Sequence, residues 1–346
     1  MPVRGERPSQ LAQRQSPTAG VIMKQRDPDG HLGAVTVHRP AIPIRAVISI
    51  LLLVVSLVAV SETWRAEAAF EPFAPNSSWR SQVPADAAID ANSDAMVARM
   101  SRDNAMYANL AEFGIPIYQA TPDTPRYSVN CIVTDWGACP FDGYQVPVPP
   151  GARPQSGSDG AMVVIDEPAG EVYEFWQATR QGDMWAASWG AVNDFYGSGW
   201  GGASTGSGAS RLAGIVQVAE IAQGHIPHAL AVQTDTICAG EFRAPALKTD
   251  GQSSRSDCVP EGARIRLDPA VDVASLDVTS GARTVARALQ TYGAYVIDGG
   301  GAPLSLSFEL DTASPDSIGN VYRQAGFRWD YDDMPGIPYD RLQVLA

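Results

Sequence analysis

Trp176, Trp185, Trp189 and Trp200 fall within 25 residues of one another, four of the seven tryptophans that follow residue 68. Glu174 stands two residues before the first of them. Indole rings offer flat apolar faces to the C–H side of pyranose rings, and carboxylates take up sugar hydroxyls. In a glycoside hydrolase one of two carboxyl groups also protonates the leaving oxygen. A carboxylate within an apolar strand is costly unless paired or solvated. Glu174 is therefore the first candidate for acid/base or nucleophile, with Asp250 or Asp298 as the second carboxylate. Trp176, Trp189 and Trp200 would be sugar platforms, with His228 and Lys248 as orienting groups. A lyase variant would draw its base from His228 or Tyr292, with Lys248 screening a uronate. The competing reading is structural: the indoles fill a core and Glu174 faces solvent on its strand.

Beyond residue 68 there are two histidines, His225 and His228, in G-H-I-P-H. Pro227 prevents a continuous helix through them, and on a strand positions three apart point to opposite faces. No metal motif surrounds them, and neither metal nor cofactor is expected. Lys248, in A-L-K-T-D-G, is the sole lysine after residue 68. Arginine stays charged whereas lysine can be tuned, which sets Lys248 apart. Gly197–Gly202 fits G-x-G-x-x-G formally, but an exported chain meets no dinucleotide pool. That stretch reads instead as a loop able to approach a ligand closely. Ser207 and Ser210 lack the G-x-S-x-G elbow of a hydrolase nucleophile.

The chain has 346 residues and a formal charge of −13. Beyond residue 68 there are 17 basic and 33 acidic side chains, a net charge of −16. Such a surface repels nucleic acids and anionic lipid headgroups, so a neutral or weakly charged glycan, such as a cell-wall polysaccharide, is the expected partner. Ala46–Val60 is an uncharged apolar run after Arg39 and Arg45, followed by the small-x-small triplet at 66–68. This pattern predicts a secretory signal. Fifteen residues span about 22 Å, short of the roughly 30 Å hydrocarbon core, so an uncleaved membrane anchor is the lesser reading. Either Met1 or Met23 can serve as the start.

The division expected is an extension without regular structure over 1–45, the apolar segment and cleavage region over 46–68, and one exported domain over 69–346. Four cysteines in an exported chain predict two disulfides. Sequential pairing, Cys131 with Cys139 and Cys238 with Cys258, is preferred because each pair brackets a turn-rich stretch. The spacings do not match zinc ligation.

The elements follow from hydrophobic period and turn chemistry. A helix is expected across 90–113, a β-meander across 161–192, a Gly/Ser loop over 193–210, a helix over 211–223 and another over 285–292. Short strands are expected near 117, 130, 146, 230, 265, 296 and 306, with an edge strand at the end. Many short strands with few helices predict a mainly-β fold, a β-sandwich or jelly-roll-like domain with two or three peripheral helices. An α+β arrangement is the alternative; a βαβ sheet fails over the meander, where no helix fits between the strands.

Five stretches carry a resemblance: F-x-P-x-S-x-W at 73–79, V-Y-E-F-W-Q-A at 172–178, E-I-x-x-G-x-I-x-H-A-L at 220–230, P-A-x-K-T-D-G at 245–251 and A-R-A-L-Q-x-Y-G-A-Y-V-I-D at 286–298. They resemble secreted proteins of high-GC bacteria that have no assigned activity. The resemblance implies a single domain and carries no catalytic residues over. The expectation is a secreted glycoside hydrolase using a carboxylate pair, with a non-catalytic lectin-like or envelope module as the alternative and a polysaccharide lyase as a further one.

Overall fold

The computed structural model describes residues 23–26, 32–35, 69–202 and 204–346. The chain divides into two units, residues 1–65 and 66–346. In the first, Met23–Arg26 pairs antiparallel with Leu32–Val35. The apolar run 46–60 and the expected cleavage region lie outside the described residues. Among the described residues, no helix is long and apolar enough to cross a membrane.

The second unit is mainly β, with four α-helices among the described residues. Ten strands form its two main sheets: β1 (Tyr107–Asn109), β2 (Ile117–Gln119), β3 (Met162–Asp166), β4 (Glu171–Trp176), β5 (Trp189–Asp194), β6 (Leu230–Thr234), β7 (Arg264–Leu267), β8 (Ala294–Gly299), β9 (Ser305–Ser307) and β10 (Leu342–Val344). One sheet runs β5-β4-β3-β2 and the other β10-β7-β8-β6-β9-β1. The helices are α1 (Ser93–Met100), α2 (Val218–Gln223), α3 (Ser280–Thr291) and α4 (Gly319–Gln324).

Strand alternation sorts these residues into layers. Ala231, Tyr295 and Ile297 of the larger sheet share one apolar cluster with Ile117, Val163, Ile165 and Val172 of the smaller. The two sheets therefore face each other, and Trp79, 1% exposed, plugs the gap between them. Leu230, Val232, Ala294 and Val296 point the other way, onto Met96 and Met100 of α1 and Val285 and Leu289 of α3. On the outer side of the smaller sheet, Met162, Val164, Tyr173 and Phe175 pack with Val129, Phe141 and Trp185.

The expected meander is present, β3-β4-β5 being antiparallel throughout. Its outer half leaves the sheet. After β4, Gln177 takes a φ of 54°, and Thr179–Gln181 and Met184–Ala187 form a hairpin in another sheet with Val129–Cys131. Both expected disulfides are formed, Cys131–Cys139 and Cys238–Cys258, which suits an oxidising, extracytoplasmic setting.

Two expected helices are shorter than their patterns. The first stops at Met100 because Ser101–Asn104 offers no apolar face. Met106, Ala108 and Leu110 then alternate along an edge strand, where spacings of four had suggested a helix. The second begins only at Val218. Gly214 has a φ of 69°, and a Cβ there would stand 2.6 Å from the Ala231 nitrogen, so helix cannot run through it. Gln217 and Glu220 instead form a capping box that starts α2.

Candidate functional site

Asp298 is the penultimate residue of β8, where the larger sheet opens into a cleft. Two hollows, of about 850 and 630 Å³, meet there and share Asp159, Thr205, Arg211, Asp298 and Gly299 in their walls. The two disulfide loops each deliver part of the smaller hollow. The Cys131–Cys139 loop supplies Trp136, and the Cys238–Cys258 loop supplies Lys248 and Asp250. Trp136, 61% exposed, lies nearly parallel to Trp176 at 5.9 Å and edge-on to Trp189 at 5.7 Å.

At the centre, one oxygen from each of Asp250, Glu261 and Asp298 lies within 4.8 Å of the other two. Glu261 is fully buried; its Oε2 accepts the Asp250 backbone N–H, and its Oε1 has no hydrogen-bond partner among the described residues. Gly206 lets the backbone close over this cluster: a Cβ there would stand 2.3 Å from Glu261 Oε1 and 2.6 Å from Asp250 Oδ1. Lys248 Nζ donates to the Thr205 carbonyl at 2.7 Å and so pins the same loop. Arg211 donates to the Ser204 carbonyl, while its buried Nε–H has no partner among the described residues.

Burial and mutual repulsion raise two of these acids. Burial pushes Glu261 up to about 7, with Thr249 acting against it and Asp250 and Asp298 adding to it. Burial likewise pushes Asp298 up to about 6; Arg211 opposes this, and Asp250 and Asp159 reinforce it. The three oxygens form a hard-donor set of the type that holds Ca²⁺ or Mg²⁺.

Glu261 yields a stability prediction with a definite sign. Its folded value, about 7, lies above the ordinary 4.5, so the folded state binds this proton more tightly than the unfolded one. The associated stability is full below pH 4.5 and is lost as pH rises towards 7. Glu261→Gln should remove about 2 kcal/mol of that loss, after allowance for solvent screening. Denaturant unfolding at pH 5 and pH 8 measures it. Identical pH dependence in variant and parent would reject the assignment.

Asp250, Asp298, Lys248, Trp176 and Trp189 thus line one cleft. The other expected site residues do not. Glu174 is 0% exposed and faces the inter-sheet layer, one alternation behind Trp176; its carboxylate accepts the Ser204 and Ser210 hydroxyls. It anchors the loop that walls the cleft and does not line it. Trp200 stacks on Trp79 at 5.1 Å and donates to Ser78, as part of the inter-sheet core. Tyr292 follows α3 and packs against that core, and its carbonyl accepts from Arg264.

His228 borders a different cavity, of about 350 Å³, with His225 and Arg80. Its Nε2 lies 2.9 Å from Glu220 Oε1 and its Nδ1 2.9 Å from the Ala229 carbonyl. Burial lowers its pKa, but the Glu220 carboxylate outweighs burial and the net shift is upward. With His228 and Tyr292 outside the cleft, neither expected lyase base is in place. Sequence reasoning missed Trp136, Asp159, Arg211 and Glu261. Only Trp136, inside a cystine bracket and in a polar stretch, carried a signal that could have been read.

Comparison with protein-family models, with curated proteins and with solved structures finds no match for the chain. The functional reading therefore rests on the cleft itself.

Proposed function

We propose that the domain hydrolyses glycosidic bonds of a neutral or weakly charged glycan, with Asp298 as the acid and Asp250 as its paired carboxylate. One observation carries this reading: a carboxyl group raised to about 6 stands beside a second carboxylate in a wall shared with three clustered indoles. The oxygen spacing, within 4.8 Å, supports the retaining course. Retaining pairs stand about 5–5.5 Å apart, whereas inverting pairs leave about 6.5–9.5 Å for a water. Asp298 gives its proton to the glycosidic oxygen as the C–O bond to the anomeric carbon breaks, and Asp250 forms an ester with that carbon. Asp298, now ionised, takes a proton from water as water displaces Asp250, which restores both groups.

The test is a reducing-end assay on neutral glycans, with Trp136→Ala beside the parent. The parent should release new reducing ends, and Trp136→Ala should raise KM about fivefold, since a stacked aromatic contact is worth roughly 1 kcal/mol. Binding without product would favour the lectin-like alternative. Neither binding nor product would remove the glycan reading altogether.

A further inference from the structure

The cleft does not end at the carboxylates. Beyond Asp298 the larger hollow continues along Tyr107 and Phe113 to Trp329 and Tyr331. Trp329 is 49% exposed and meets Tyr331 edge-on at 5.8 Å. This second aromatic group borders the larger hollow and not the smaller, whereas Trp136, Trp176 and Trp189 border the smaller and not the larger. Between them the wall carries Asp159, Arg211 and Asp298 together with the neutral Gln233, Ser305 and Ser307. Gln233 Nε2 donates to Ser307 Oγ at 2.8 Å, and Ser305 Oγ donates to Gln233 Oε1 at 3.2 Å. These amide and hydroxyl groups suit sugar hydroxyls.

The passage is also open. Gly299 to Gly301 form its wall without side chains, and at Gly299 and Gly301 a Cβ would find no heavy atom within 4 Å. A bulky residue at either position has room for its side chain in a segment that walls the passage. An active centre that removes terminal sugars closes one side of its carboxylates. Here both sides remain open, and each bears an aromatic surface.

Resting on the hydrolase reading, we propose that the cleft binds the interior of a neutral polysaccharide and cuts it internally, with Trp329 and Tyr331 holding the units on the far side of Asp298. Glycan length should then matter until both aromatic groups are covered. Subsites on the two sides should fail separately, because they share no residue except those at the centre.

Asp298→Asn protein, titrated with neutral oligosaccharides of increasing length by tryptophan fluorescence, supplies the binding arm. Affinity should rise with length, and Trp329→Ala should weaken the longest ligands about tenfold while leaving the shortest unchanged. Gly301→Trp should do the same by obstruction, so the result does not hang on one variant's folding. In the active protein, viscosity of a long neutral glycan should fall well ahead of reducing-end release, and Gly301→Trp should abolish that lead. Release of only terminal mono- or disaccharides, with Trp329→Ala and Gly301→Trp behaving as parent, would overturn the two-sided cleft and leave the hydrolase standing. Full turnover by Asp298→Asn, or no binding of any neutral oligosaccharide, would overturn both.

Discussion

Asp298→Asn is expected to lower kcat about 10³-fold, within the range of a positioned general acid, while KM changes only a few-fold. Asparagine keeps the shape of the side chain at the end of β8 but has no proton to give the leaving oxygen. The parent's pH profile should identify the same group. Asp298 is raised to about 6, so the acid form needed for the first step is full below that value and lost above it. Activity should therefore fall as pH rises through about 6. In Asp298→Asn the residual activity should lose this limb, because the titrating group is gone. Thermal unfolding should show a folded protein, at least as stable at neutral pH, since the variant removes one of several crowded carboxylates. A kcat within threefold of the parent, or an unchanged limb, would exclude Asp298 as the acid.

Much of the scaffold was legible because it is written in local patterns. Short apolar runs at 162–165, 172–176 and 294–297, bounded by turn residues, marked the buried strands, and the turn-rich stretches bracketed by the cysteines favoured the pairing that forms. The errors came where one pattern satisfies two geometries. Met106 and Leu110 are four apart, as on a helix, and also in phase with Ala108 on a strand; the intervening polar turn decides for the strand. The site was harder, since Asp159, Arg211, Glu261 and Trp136 come from four separated segments that meet only through the facing sheets and disulfide loops. Nothing at positions 159 or 261 distinguishes these acids from solvated surface ones. Glu174 shows the converse. Its strand context correctly marked it as an unusual carboxylate, but the partners that resolve its cost are serine hydroxyls 30 and 36 residues away.

Glu174 should therefore act on stability first and on chemistry only through position. Glu174→Ala leaves the Ser204 and Ser210 hydroxyls without their acceptor in a layer from which water is excluded. A buried hydroxyl left without its partner costs about 1–3 kcal/mol. A net loss of about 3 kcal/mol follows, a fall of roughly 6–12 °C in Tm for a domain of this size. The loop from Ser204 to Arg211 carries Thr205, Gly206 and Arg211 into the cleft wall. Loosening it should raise KM and weaken glycan binding. The pH limb near 6 should stay in place in Glu174→Gln, because Asp298 remains as before. A triple variant, Glu174→Leu with Ser204→Ala and Ser210→Ala, removes donors and acceptor together and should recover part of the lost stability, since the penalty lies in the unmatched hydroxyls. If Glu174→Gln instead kept the parent's Tm and KM while kcat dropped 10³-fold, Glu174 would be a chemical participant after all. The inter-sheet layer would then have to open during turnover to expose it.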